Sequence, residues 1–478
     1  MRVSLGAPVR PLTFLLLLGT VTASNACGGG SPETTPSPSV QSATPTPLVT
    51  RTPGVNAQGV RYCAYVPGES EPVTMPQEVL NPADPTPSPS PPPIGQTSVT
   101  LETTERQMGV FSALRDRIAG AYVYPDFNEV DWEAVGGRYE ALIAGGLSDA
   151  DFYTAMNLMI SELGDEHSSF QSPDEVAEVT ARLAEGENFV GIGLLGTPIA
   201  GTQTGAVIAV FPGSPADEAG LRPHDLVLEV DGLPFLDEER NARSRGPDGT
   251  SFDLKYQRPG DEVRTVTVTR AKVSGFTPVD YCIVPDTRIG YIMLPTFADE
   301  NVDDQVRAAL QKMTADGPLD GLILDNRLNG GGSSLVLEPM LGFFTSGGQG
   351  SFVSRDGEEE LNAEADDIGG TQDVPLVILV DRDTVSFAEI FAGVLQNSGR
   401  ATVVGGRTAG NVENLTSSTF DADGSRVWLA TRTFAPVGLE AEVWEGEGVV
   451  PDIRLPTRWD LFTEATDPAL ARAVELLD

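Results

Sequence analysis

The chain has 478 residues, 40% of them hydrophobic, with three cysteines, two histidines and a formal net charge of −38. That length holds two or three domains with cores of their own, and an acidic excess without any basic stripe speaks against nucleic acid as a partner. Neither cysteines nor histidines fall at metal-ligand spacing, which argues against a zinc site. The acidity itself is what solubility or a saline habitat would select.

Arg2 and Arg10 precede an apolar run over residues 12–21, too short to span a bilayer and followed by small residues, so residues 1–26 read as a signal peptide. Cys27 and the three glycines after it also suit a lipidated start, although that pattern expects Leu where Ser24 stands. The expected location is therefore extracytoplasmic, either secreted or held on the outer face of the membrane by lipid on Cys27. Residues 27–100 contain two Pro/Ser/Thr-rich tracts that cannot bury a core and form an extended tether, with a short strand near 59–66.

Residues 101–184 carry a helical period, with Phe111, Leu114 and Ile118 on one face and Trp132, Val135, Tyr139 and Leu142 on the next. A third helix opens at Ser148 and ends near Gly164. From 187 to 273 the period shortens to strands separated by Gly and Pro turns, and from 274 to 478 apolar strands without alternation take turns with helices. Such strands belong to a buried, largely parallel sheet with crossover helices. The tail closes on an amphipathic helix.

The stretch Gly191-Ile192-Gly193-Leu194, followed by a short helix and the strand LVLEVDG, resembles the peptide-binding loop of a PDZ domain, whose amides capture a C-terminal carboxylate while the peptide adds as a strand. His224, in a turn without catalytic partners in sequence, reads as a surface residue. The motifs SELGDEHSSF, GLILDNRLNGGGSS, DRDTVSFAEIFAGVLQNSG and VWEGEGVVPDI, in that order around the PDZ-like segment, resemble the C-terminal-processing and tricorn-core serine peptidases from about Gln107 to the end. That resemblance implies an α/β multidomain protein: a helical domain, a PDZ-like β-rich domain and a crotonase-like α/β catalytic core.

It also implies roles. Ser386 aligns with the nucleophile, although S-x-x-E before an apolar helix is also a capping box with Glu389. Relatives use a Lys or a His as base; Asn411 stands where the lysine would be and no lysine follows Lys312, so His167, in Gly-Asp-x-His, is the candidate base. Glu445 is the family-position choice for the carboxylate that holds the imidazole, with Glu413 as rival. Gly330 or Gly331 offers one oxyanion donor and the Phe387 N–H the other. No G-x-S-x-G occurs, which excludes an α/β-hydrolase elbow.

The expected reaction is cofactor-free acyl transfer on protein or peptide substrates, engaged through their C-termini. The alternatives are an inactive surface peptide-binding protein of the same fold, and acyl-CoA chemistry on a crotonase-like core. Finally, RYCAYV and DYCIVP are similar strand-like runs, and pairing them would bring Cys63 and Cys282 together; otherwise Cys63 is a free thiol in the tether.

Overall fold

The computed structural model describes residues 54–74 and 94–478, apart from 166, 186–187, 200–201, 238–240 and 442. The signal peptide, Cys27 and most of the tether lie outside them. Helices α1 (Leu101–Ala121), α2 (Trp132–Ala144) and α3 (Asp149–Ser161) start at Thr100, Asp131 and Ser148, whose side chains each accept a first-turn N–H. Their apolar faces close over strand β1 (Ser169–Gln171), after which α4 (Pro173–Glu185) leads away. These helices share their core with Phe420, Val427, Leu429 and Ala430, so this region is packed onto the α/β core.

The β-rich domain opens with β2 (Asn188–Gly191), β3 (Leu194–Pro198) and β4 (Gly205–Val210), then the short α5 (Pro215–Glu218). Next come β5 (Leu226–Val230), β6 (Leu233–Pro234), β7 (Ser251–Gln257), β8 (Arg264–Thr269) and β9 (Ala271–Ser274). Its sheet runs β3-β4-β5-β7-β8, while β2 and β9 pair as the entry and exit of the domain. Alternation on β7, with Phe252, Leu254 and Tyr256 buried and Ser251 and Asp253 exposed, marks a sheet with one wet face.

The core follows with β10 (Tyr281–Ile283), β11 (Ile289–Met293), α6 (Val302–Met313), β12 (Gly321–Asp325) and α7 (Ser334–Gly342). The chain continues through β13 (Gly347–Ser354), β14 (Gly357–Ala363), β15 (Leu376–Val380), α8 (Phe387–Asn397) and β16 (Thr402–Gly405). Then come β17 (Asn414–Thr419), β18 (Arg426–Pro436), β19 (Ile453–Arg454) and α9 (Pro468–Leu477). Strands β11, β12, β15 and β16 pair in parallel, and every residue of β11, β12 and β15 is buried, which is why they read as unbroken apolar runs. A second sheet, β1-β18-β13-β14 with β17 on β18, links helical region and core.

The short strand expected near 59–66 reduces to isolated bridges, but its partner is the expected one. Tyr62 bridges Ile283, the Cys63 N–H donates to Ile283 O at 2.9 Å, and Cys63 and Cys282 form a disulfide across 219 residues. In the chain-entropy description a loop that long gives a bridge worth roughly 5 kcal/mol.

His224 is not a surface residue. It is 5% exposed, stacks on Trp459 with ring centroids 3.7 Å apart, and its Nδ1 lies 3.2 Å from Trp459 O. Trp459 Nε1 donates in turn to Val207 O on β4. The turn that holds His224 is thus a domain contact: Ala206 and Ile208 share a core with Trp459, Phe462 and α9. Beneath it Arg327 is bound between Asp325 and Asp467, a buried arrangement whose two carboxylates satisfy the guanidinium.

Candidate active site

The turn between β15 and α8 is tied down before it reaches Ser386. Asp381 Oδ1 accepts the N–H groups of Leu328 and Asp383, and Thr384 Oγ1 donates to Asn326 O. Burial, with the charge of Asp383 beside it, pushes the Asp381 carboxyl up to about 7. Ser386 then adopts φ 58° and ψ −129°, a left-handed conformation in a non-glycine residue. Such a conformation costs on the order of 1–3 kcal/mol and persists only where surroundings enforce it. Here they do: the Ser386 N–H donates to Asn411 O at 3.0 Å and to Glu389 Oε1 at 3.2 Å.

Glu389 caps the helix, as the sequence pattern requires, but it does more. Fully buried, it also accepts from the N–H groups of Gly410 and Asn411 and from Thr408 Oγ1, so it clamps the segment 408–411 against Ser386. Burial pushes this carboxyl up to about 7, with its hydrogen-bond donors opposing. Sequence reading found the cap and missed the clamp, because the clamped segment is distant in sequence.

The triple glycine lies against Ser386. A Cβ on Gly331, at φ +81°, would come within 2.7 Å of Ser386 Cβ and 3.1 Å of Phe387 N, so only glycine admits this approach. Val385 N–H donates to Asn329 O, and Asn326 Nδ2 donates to Ala388 O, lashing the loop to the start of α8. The Gly331 N–H is committed to Asn329 Oδ1 at 3.0 Å. Phe387 occupies the first position of α8, where an N–H has no partner within the helix.

His167 sits in the loop after α3. Asp165 Oδ1 accepts the N–H groups of His167 and Ser168, and Ser168 Oγ accepts the Ala430 N–H, which fixes the loop on β18. The imidazole is buried, and its Nδ1 lies 3.3 Å from Glu413 Oε2. Burial pushes His167 down to about 4, with the charge of Asp165 opposing.

Glu445 faces another partner: its Oε2 accepts the Val412 N–H at 2.8 Å. Burial, with the charge of Glu413 adding, pushes it up to about 9. Three consecutive residues therefore connect the site. Asn411 holds the Ser386 backbone, Val412 holds Glu445, and Glu413 touches His167.

In the β-rich domain, Gly191 to Leu194 form the link between β2 and β3. The Ile192 and Gly193 carbonyls accept from Ala216 N–H and Phe211 N–H, and β3 pairs with β4 along one edge only among the described strands. A Cβ on Gly193, at φ +75°, would collide with Ser214 at 2.3 Å. The loop is thereby held tight beside β3, whose second edge pairs with no described strand.

Three family models match: peptidase family S41 over residues 288–455, a PDZ domain over 207–258 and the tricorn protease C1 domain over 105–161. The chain is similar to a carboxyl-terminal-processing protease of Synechocystis, with 30% identity over 404 residues, covering 80% of this chain and 89% of that protein. It is 29% identical over 382 residues to the chloroplastic carboxyl-terminal-processing peptidase 2 of Arabidopsis thaliana, covering 76% and 71%. Among solved structures it is similar to a photosystem II D1 C-terminal processing protease, with a TM-score of 0.52 and 27% identity over 78% of this chain and 97% of that one. The parallel core, the inserted PDZ domain and these matches together make the chain a serine-type peptidase, a member of the carboxyl-terminal-processing proteases of family S41.

Proposed function

We propose that this peptidase is an exported endopeptidase in which Ser386 is the nucleophile, His167 the base and Glu413 the carboxylate that holds the imidazole. The observation that carries the reading is the connection just described: one segment, 411–413, bonds to the strained Ser386 at one end and contacts His167 at the other. Ser386 Oγ attacks the scissile carbonyl carbon and its proton passes to His167 Nε2, the nitrogen turned from Glu413. The carbonyl oxygen takes the negative charge, facing the Phe387 N–H at the positive end of α8 and the glycines of the 330–332 loop. Collapse breaks the C–N bond as the imidazolium returns its proton to the leaving amine, and a water repeats the sequence on the acyl-enzyme.

Assigning the carboxylate to Glu413 departs from the family-position choice, Glu445. Glu413 makes the contact with Nδ1, whereas Glu445 is engaged with Val412, and burial together with the charge of Glu413 raises its carboxyl.

The PDZ loop, Gly191 to Leu194, receives the C-terminus of a protein substrate, whose last residues add to the free edge of β3. The N-terminal sequence supports export, with Cys27 as the site of a lipid anchor if one is added; no helix among the described residues is long and apolar enough to cross a membrane.

A serine-reactive fluorophosphonate tests the assignment. It labels the wild-type chain at Ser386, fails on Ser386→Ala, and labels His167→Ala slowly. Wild-type cleavage of an unstructured protein by Ser386→Ala would overturn the nucleophile.

A further inference from the structure

The turn between α1 and α2 is strained. Phe127, Asn128 and Glu129 take left-handed φ angles of 55°, 55° and 64°, and none of them is glycine. Three such residues in succession persist only where the surroundings enforce them. Here the restraints come from three sides. Phe127 stacks on Trp132 and on Tyr122, with ring centroids 5.7 and 6.3 Å apart. Arg355, from the turn between β13 and β14, donates to Ala119 O and Tyr124 O and lies over the Phe127 ring. Asn128 Nδ2 donates to Leu163 O at 2.8 Å and to the Tyr122 hydroxyl at 3.0 Å.

These restraints converge on one hydroxyl. Tyr122 is fully buried, and because its oxygen accepts from Asn128, its own proton is left to donate. The carboxylate beside it is Asp165. Burial raises the phenol well above its ordinary range, with the charge of Asp165 and a hydrogen bond to it adding, followed by the charge of Glu413. Asp165 Oδ1 accepts the His167 and Ser168 N–H groups at 3.1 and 2.6 Å. A phenylalanine would fill the same space and make the same stacks; only a hydroxyl joins the strained turn to the carboxylate that holds the His167 loop.

We propose that Tyr122 is a positioning residue for the peptidase reaction: its hydroxyl, set by Asn128, donates a hydrogen bond to Asp165 and thereby fixes the loop that presents the His167 ring. The inference rests on the reading of His167 as the base. The hydroxyl keeps its proton throughout, so the proton transfer between Ser386 and His167 is left as it stands. Its contribution is geometric: a base displaced by a fraction of an ångström loses rate while substrate binding is untouched.

The test uses the full chain and a fluorogenic peptide, with active sites counted by fluorophosphonate incorporation at Ser386. Tyr122→Phe, which keeps the ring, should lower kcat per labelled site roughly 10-fold and leave KM in place. Asp165→Asn should lose roughly 10²-fold, and the double variant should be no slower than Asp165→Asn alone, because the hydroxyl acts through the carboxylate. Asn128→Gly, which accepts the left-handed backbone and removes the donor to the hydroxyl, should lower kcat per labelled site about threefold and stands in if Tyr122→Phe does not fold. A kcat per labelled site within about twofold of wild type in both Tyr122→Phe and Asn128→Gly would overturn the proposal, as would losses that multiply in the double variant. Full activity in His167→Ala would instead overturn the reading on which it rests.

Discussion

The two histidines of this chain are both buried, both neutral and both pushed well below the ordinary range, to about 4 for His167 and about 3 for His224. What differs is which charged form each environment would tolerate. His167 has Glu413 at 3.3 Å and the Asp165 charge nearby, so an imidazolium formed there meets anions. His224 lies flat on Trp459, where burial is the chief penalty on its charged form and Arg327 adds to it, with Asp325 and Asp280 opposing from farther along the chain. Burial depresses both, and only the charges around the ring distinguish a base from a fastening.

The sharpest way to break that comparison is to remove each ring. His167→Ala should cost on the order of 10²–10⁴-fold in turnover with little change in Tm. His224→Ala should keep turnover per labelled Ser386 while losing about 1–3 kcal/mol of stability with its aromatic stack. A folded, labelled His224→Ala that no longer turns over would erase the distinction.

Removing the anion is the next step down. Glu413→Gln should lower kcat on the order of 10²-fold, because a neutral amide cannot stabilise the imidazolium, whereas Glu445→Gln should change it by no more than about threefold. The reverse order, read from steady-state rates, would return the role to Glu445.

The pH profile compares the rings directly. A base must be neutral, so kcat/KM should rise with pH through an apparent pKa of about 4, well below an ordinary imidazole, and lie flat through neutrality. An acid limb near about 6.5 would mean that His167 is solvated, as free imidazole is.

The smallest effect concerns stability. The folded pKa of His224 is depressed from 6.5 to about 3, so between those values the unfolded chain binds the extra proton and His224 costs stability as pH falls. Raised carboxyls such as Glu389 work in the opposite sense over part of that range, so the comparison must be a difference. The Tm gap between His224→Phe and wild type should move in the variant's favour from pH 7 to pH 4; a constant gap would show a ring that is already exposed to solvent.

Much of this was legible in the sequence for local reasons. The period of α1 and α2, the start of α3 at Ser148, the capping box of Ser386 with Glu389, and the unbroken apolar runs of β11, β12 and β15 are each encoded within a few residues, and the structure follows them. The PDZ-like insertion could be read from glycines and strand lengths, and the pairing of Cys63 with Cys282 from two similar runs.

Other features belong to tertiary structure alone. Glu413 follows a stretch with three glycines and Glu445 precedes a Gly-Glu-Gly turn, and which one meets His167 depends on how 408–411 is clamped by Glu389, a residue of another element. His224 looked like a turn residue because its turn is locally ordinary; it is buried because Trp459, 235 residues away, covers it. Periodicity and capping are short-range properties of the chain, so the sequence determines them by itself. The environment of a charge is made by groups that folding brings from far along the chain, and only the packed structure decides it.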